Sequence, residues 1–331
     1  MMRTVFTCGD VNGIGLEVVV KSLQKMYEKK DKDQSIVIAP LNAFLKNYND
    51  NDCSFPYTVD SNKEIAKSSE PVIVKPIKEI KITPGRPTKQ SGKISFISLK
   101  ESFRLLEQNI ADAVVTAPVS KYALKLAGIN FPGQTEMFAE WCNVKNFMMT
   151  FLSSKMNAGL LTIHIPLRKV SDKINLQTVR KGIELLIRTS KVDLGIIKPK
   201  IAVLGLNPHA GEDGIIGSEE VLFINPAVGL NEYKDIVDGP FPSDAFFGMR
   251  KYEQYDFILG MYHDQVLIPF KLLNFDKGVN YTAGLPIVRT SPDHGCAFDI
   301  AGKRRADELS LYTAYLYAKK IVKNRKKNKS S

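Results

Sequence analysis

Short apolar, β-branched runs alternate along this chain with longer stretches whose apolar positions recur every three to four residues. The runs at 4–7, 35–39, 72–74, 113–116, 148–152, 159–163, 201–206 and 257–260 predict strands. The periodic stretches at 16–27, 94–108, 119–126 and 176–189 predict amphipathic helices. Strand, polar loop and helix in repetition predict an α/β fold around a mostly parallel sheet. Two segments, 50–70 (polar, aperiodic) and 75–92 (rich in Lys, Pro and Gly), read as surface connections. Each of the chain's four histidines stands where an apolar run turns polar: His164 in AGLLTIHIPLR, His209 in IAVLGLNPHAG, His263 in FILGMYHDQ and His294 in PIVRTSPDHGCAFDIAG. Strand ends in such a sheet face one rim, where ligands bind. Imidazoles gathered there predict a metal site or an acid/base site.

Composition narrows the class. The 331 residues are 44% hydrophobic and 24% charged, which suits one large or two medium α/β domains of a soluble protein. No apolar run approaches the length of a membrane span. The opening MMRTVFTCGDVNGIG lacks the basic and apolar regions of a secretory signal. The four cysteines are far apart and form no CxxC pair, which argues against a zinc ribbon or disulfide framework and fits a reducing cytoplasm. Much of the net charge of +11 lies in the final KKIVKNRKKNKSS. That stretch reads as a solvated helix end, where cations suit the helix dipole. An electrostatic arm for nucleic acid or anionic lipid is the sharper alternative, but no basic groove interleaved with aromatics and no nucleic-acid motif supports it. A basic-tailed binding protein would lose function on trimming after Val322; an enzyme would keep it.

The first loop, CGDVNGIGLEVVVKSL, places Gly9, Gly13 and Gly15 between a strand and a helix. It matches neither a dinucleotide fingerprint nor a P-loop and predicts a tight turn. In DAVVTAPVSKYALKLAGINFPGQTEMFAEW a strand ends at Thr116 and a later helix opens near Gly133, Gln134, Thr135 and Glu136. That opening is either a phosphate cradle or a simple N-cap by Thr135. Three imidazoles at strand ends would ligate a divalent ion and leave positions open for substrate, with Asp264 orienting His263. Lys271, Asn280 and Arg289, in a Gly-rich region between His263 and His294, favour an anionic small-molecule substrate.

With those residues in place, the ordered motifs GDVNGIGLE, VTAPVSK, GQTE, LTIHIPLR, GLNPHAGE, GPFPSD, MYHDQ, KGVN, GLPIVRTSPDHG and AGKRRAD resemble the 4-hydroxythreonine-4-phosphate dehydrogenases of vitamin B6 biosynthesis, from about residue 3 to 315. The resemblance implies an isocitrate/isopropylmalate dehydrogenase-like fold: two α/β domains with a central cleft, drawn here as 1–125 together with 285–331, and 126–284. It implies a cytoplasmic homodimer with the active site at the subunit interface and a divalent metal (Zn, Co or Mg) on His164, His209 and His263, one of them from the partner subunit. Substrate contacts map onto Gln134, Thr135, Lys271, Asn280 and Arg289. HGCAFDIAGK is similar to the adenosine-binding loop HGSAPDIAGK of isopropylmalate dehydrogenases, which assigns the nucleotide to His294, Gly295, Ala297 and Asp299. A carboxylate at Asp299 would accept hydrogen bonds from a ribose hydroxyl and repel a 2′-phosphate, favouring NAD over NADP. Gln134 stands where the family usually has histidine, and Val11 and Leu16 replace prolines.

The implied reaction is oxidation of 4-phosphooxy-L-threonine at C3. A metal ion lowers the hydroxyl pKa, a base takes the proton, hydride passes to NAD⁺, and the β-keto acid loses CO₂ to give 3-amino-2-oxopropyl phosphate. Lys271 is the first candidate for the base, provided burial and nearby cations lower its pKa; Asp244 and Asp264 are its rivals. The alternatives are a dehydrogenase of a four-carbon sugar-acid phosphate (erythronate or threonate phosphate) and a three-histidine metallohydrolase. The hydrolase would need no nucleotide loop.

Overall fold

The computed structural model describes residues 1–60 and 68–330; part of the expected connection at 50–70 thus lies outside the described residues. The chain divides into two compact units, Met1–Asn143 with Pro286–Val322, and Val144–Leu285 with Lys323–Ser331.

The first unit is built as the alternating pattern dictates. It runs β1 (Arg3–Thr7), α1 (Gly15–Glu28), β2 (Gln34–Pro40), α2 (Leu41–Asp50), β3 (Thr58–Val59), β4 (Val72–Ile77), α3 (Lys89–Glu107), β5 (Ala113–Val115), α4 (Lys121–Leu126) and α5 (Gln134–Trp141). The chain returns to this unit with the twelfth strand, β12 (Val288–Pro292). The strands lie in the order β3-β4-β2-β1-β5-β12, each parallel to its neighbour. Every residue of β2 is buried, as a central parallel strand with both faces covered requires. Helix α3 begins earlier than its apolar period, because Thr88 and Ser91 form a reciprocal capping box that adds a polar first turn. The expected connection at 75–92 therefore contains the end of β4 and the start of α3.

The second unit runs β6 (Met148–Leu152), β7 (Ala158–Leu160), α6 (Leu176–Arg188), β8 (Ile201–Leu204), α7 (Asn225–Val228), β9 (Val237–Phe241), α8 (Ser243–Gly248), β10 (Phe257–Gly260), α9 (His263–Asn274) and β11 (Val279–Ala283). Its strand order is β11-β6-β7-β10-β8-β9. The pairs β11/β6 and β6/β7 are antiparallel and the rest parallel. Val266, Leu267 and Phe270 of α9 pack with Phe151, Leu160, Ala202 and Ile258 in the core. Helix α5, placed beyond residue 125 in the expected division, belongs with the first unit, and residues 323–331 with the second.

The last helix, α10 (Leu309–Ser330), departs from the sequence reading. Arg325 is no solvated tail charge. Its Nε donates to Asp193 Oδ1 at 2.6 Å and its Nη2 to the Tyr281 hydroxyl at 2.9 Å, while Tyr281 donates to Asp193 Oδ2 at 2.6 Å. Asp193 and Tyr281 are buried, so the triad is a desolvated charge pair with its remaining valences filled. Burial and Asp193 hold the Tyr281 phenol well above its ordinary range. Removing one partner of such a pair strands the other. Truncation after Val322 is therefore expected to cost roughly 3–5 kcal/mol in urea unfolding. Truncation after Lys327, which keeps Arg325, should leave the midpoint nearly unchanged, and equal stability of the two truncations would contradict this account.

Candidate active site

Three histidine-bearing loops leave the same rim of the second unit because β7, β10 and β8 are adjacent and parallel. Pairing continues past the strand ends: Leu161 N donates to Gly260 O at 2.9 Å, and both Thr162 N and Thr162 Oγ1 donate to Met261 O. This extension delivers His164, after β7, beside His263, the first residue of α9; their ring centroids are 6.4 Å apart. Both rings line an open pocket of about 360 Å³ with Thr162, Leu167, Tyr262 and Asp264. His263 Nδ1 lies 2.6 Å from Asp264 Oδ1. A proton on Nδ1 shared with that carboxylate leaves the Nε2 lone pair to bind an electrophile, the usual arrangement of a metal-ligating imidazole. The expected role of Asp264 as orienter therefore has a geometric basis.

His209 follows β8 by a different route. Residues His209, Ala210, Gly211, Glu212 and Asp213 all adopt left-handed backbone, with φ of 53°, 52°, 80°, 41° and 54°. Each non-glycine residue there costs about 1–2 kcal/mol, so the turn must be held by its surroundings. His164, with φ 48°, is also left-handed. Among the described residues of the single chain, no group of three or more His, Cys, Asp or Glu is arranged to hold a metal ion. One chain thus supplies the His164–His263 pair and carries His209 on a separate exposed turn. The pair has the donor chemistry of two metal-ligating imidazoles.

Gln265, beside these ligand candidates, binds the rim together. Its side chain accepts from Met261 N at 2.6 Å and donates to Gly205 O at 2.6 Å and to Ser243 Oγ at 2.8 Å. One buried amide thereby joins the ends of β10 and β8 to the start of α8, which carries Asp244. Sequence reasoning passed over it, although MYHDQ contains it. Asp244, Asp264 and Lys271 are exposed, so the burial required of Lys271 is not supplied by its own chain; Asn280 lies half-buried on β11.

In the first unit Arg289 on β12 is 2% exposed. Its Nε and Nη2 donate to Thr116 Oγ1 at 3.2 and 2.9 Å, its Nη1 to Thr135 Oγ1 at 3.4 Å, and its Nη2 to Gln134 Oε1 at 3.1 Å. Gln134 Nε2 donates to Ala117 O, which fixes the amide with its oxygen toward the guanidinium. Burial pushes the Arg289 pKa down to about 10, with Glu136 opposing, so it stays a cation at neutral pH. Gly133, not Thr135, occupies the N-cap position of α5. The Thr135 hydroxyl faces Arg289 instead, and Thr116 is a partner that the strand-end position alone did not reveal.

The candidate nucleotide segment follows β12. Gly295 is exposed and an added Cβ would meet nothing within 4 Å, leaving its backbone open to a ligand. Ala297 is left-handed at φ 41°, and Asp299 is exposed. Ile14 N donates to Cys296 O at 3.0 Å, and a Cβ on Gly13 would lie 2.7 Å from that same oxygen. The first loop is therefore clamped to this segment at Gly13, whereas Gly9 and Gly15 are held to glycine by the carbonyl oxygens of Pro118 and Cys8. Asp10 closes the clamp, accepting from Asn12 N and Ser91 Oγ, and burial holds its carboxyl above the ordinary range.

A family model for the pyridoxal phosphate biosynthetic protein PdxA matches residues 18–318. A 4-hydroxythreonine-4-phosphate dehydrogenase of Zymomonas mobilis is 38% identical over 330 residues, covering 98% of this chain and 97% of that protein. The crystal structure of 4-hydroxythreonine-4-phosphate dehydrogenase from Klebsiella pneumoniae aligns with a TM-score of 0.82 at 34% identity, over 97% of this chain and 100% of that one. An isocitrate dehydrogenase from Methylococcus capsulatus aligns with a TM-score of 0.50 at 11% identity, over 98% of this chain and 87% of that one. That likeness concerns fold alone and agrees with the isocitrate/isopropylmalate dehydrogenase-like class expected from the sequence. By the family match and the near full-length relatives, this chain belongs to the PdxA family of pyridoxal phosphate biosynthetic proteins.

Proposed function

We propose that this chain is a cytoplasmic, NAD- and metal-dependent 4-hydroxythreonine-4-phosphate dehydrogenase. It would oxidise 4-phosphooxy-L-threonine at C3 and release CO₂ to form 3-amino-2-oxopropyl phosphate. The observation that carries the reading is the paired His164 and His263 at the rim, with Asp264 on Nδ1 of His263, in a chain whose relatives bear that enzyme name.

A bound divalent ion (Zn²⁺, Co²⁺ or Mg²⁺) would withdraw charge from the substrate hydroxyl, and NAD⁺ would accept the hydride. His164, His209 and His263 would hold the ion, and His294, Gly295, Ala297 and Asp299 the nucleotide. Arg289 offers an anionic substrate a cation already oriented by Thr116, Thr135 and Gln134, so little reorganisation accompanies binding. Lys271 and Asn280 are the further substrate contacts of this reading. The proton of the hydroxyl passes to Lys271, Asp244 or Asp264. All three are exposed in one chain, and a second copy would exclude water from them. Helix α9 supports that homodimer: Ile268, Leu272 and Phe275 are 60%, 82% and 82% exposed, an apolar stripe on the helix that starts at His263 and carries Lys271. Burying each such side chain contributes about 1.5–3 kcal/mol.

Gln134 sustains a second reading, a dehydrogenase of erythronate or threonate phosphate, because it removes the imidazole that the resemblance leads one to expect. A metallohydrolase is less well supported, since it would use neither the open Gly295 backbone nor Asp299.

Absorbance of NADH on adding 4-phosphooxy-L-threonine and metal tests the activity, with erythronate and threonate phosphates as competitors; product formed without NAD would overturn the dehydrogenase reading. The Gln134→His variant should retain the reaction and gain a limb in the pH profile of kcat/KM near about 6.5, the ordinary histidine pKa. A profile identical to that of the parent enzyme would remove Gln134 from the substrate site. Asp299→Ser should relax discrimination against NADP by roughly tenfold, or about 1.4 kcal/mol. An unchanged cofactor ratio would leave Asp299 without a ribose contact.

A further inference from the structure

We propose that Glu220 is a positioning residue that fixes the left-handed turn carrying His209 in the conformation that receives the metal. The inference rests on the reading of His209 as a ligand. Glu220 is fully buried at the start of a π-helical turn, Glu220–Ile224. Its Oε1 accepts from Leu206 N at 2.7 Å and Asn207 N at 2.8 Å, and its Oε2 accepts from Asn207 Nδ2 at 2.8 Å. These are charge-assisted bonds, stronger than neutral ones, made to the two residues where the chain leaves β8 and approaches the turn. Asn207 Nδ2 also donates to Glu219 Oε2 at 2.8 Å, and Glu219 is held in turn by the Ser171 hydroxyl.

The carboxylate also packs beneath the turn itself. A Cβ on Gly211 would lie 2.6 Å from Glu220 Oε2, so the backbone two residues beyond His209 closes directly over it. Burying a carboxylate is unfavourable unless its acceptors are filled, and here every named bond is spent on the approach to one exposed histidine. A turn with this much left-handed backbone does not persist on local preference. Glu220 supplies the constraint from below, leaving the imidazole at the surface.

The test compares full-length Glu220→Gln, Asn207→Ala and His209→Ala proteins with the parent. Cobalt affinity is measured by chelator competition, and unfolding of the metal-free proteins is followed alongside. Glu220→Gln keeps an oxygen for the two backbone donors but turns an amide toward Asn207 Nδ2. It should weaken cobalt binding about 10–100-fold, the scale of lost outer-shell support, and saturating cobalt should restore kcat. Asn207→Ala removes only the side-chain tether and should weaken binding by a smaller factor. If His209→Ala lowers cobalt affinity while Glu220→Gln binds as the parent does, Glu220 has no positioning role and the ligand reading stands. If His209→Ala binds cobalt normally, the ligand reading falls and this inference with it. Should Glu220→Gln fail to fold, parent-like cobalt binding by Asn207→Ala overturns the proposal.

Discussion

The site rests on the parallel pairing of β7, β10 and β8. Parallel neighbours end on the same side, so whatever follows them emerges on one rim. Here the backbone bonds of Leu161 and Thr162 carry that pairing beyond the strands, and the amide of Gln265 ties the outgoing segments together. Without this framework His164, His209 and His263 would be three surface histidines. With it, two rings lie beside each other and the third stands on the loop after the neighbouring strand.

Polar burial serves opposite ends in the two units. The buried Arg289 guanidinium is oriented by neutral oxygens of Thr116, Thr135 and Gln134, and the charge of Glu136 also acts on it. Arg325 is instead paired with Asp193 and Tyr281 and also donates to Leu285 O. Glu220 resembles Arg325 in being satisfied by its own unit, but what it binds is the backbone that presents His209.

Much of this was legible in the sequence where the signal was local. The β-branched runs located β1, β2, β6, β8 and β10, and the histidines at strand ends located the rim. Strand β11 escaped, because KGVNYTAG is dense in turn residues, and β12 was legible only as the apolar run before His294, since it buries Arg289 on a side-chain network invisible in a pattern of apolar positions. The predicted strand at 159–163 ends early, at Leu160, as the chain turns toward left-handed His164. In PHAGEDG only the glycines hint at a reversed hand, while the force that imposes it comes from Glu220, further along the chain. Arg325 was hidden in a basic run: net charge shows how many cations a segment has, not which of them finds a buried partner.

The Asp193–Tyr281–Arg325 triad also bears on synthesis. Arg325 follows Tyr281 by 44 residues and Asp193 by 132. At about 5–20 residues per second, the ribosome leaves the acid and the phenol without their cation for roughly 2–9 s after Tyr281 is made. During that interval the second unit has all its strands but not the charge that completes its interior. Its final packing therefore waits until β12 and most of α10 have been made, so the order of translation and the order of consolidation differ in this protein.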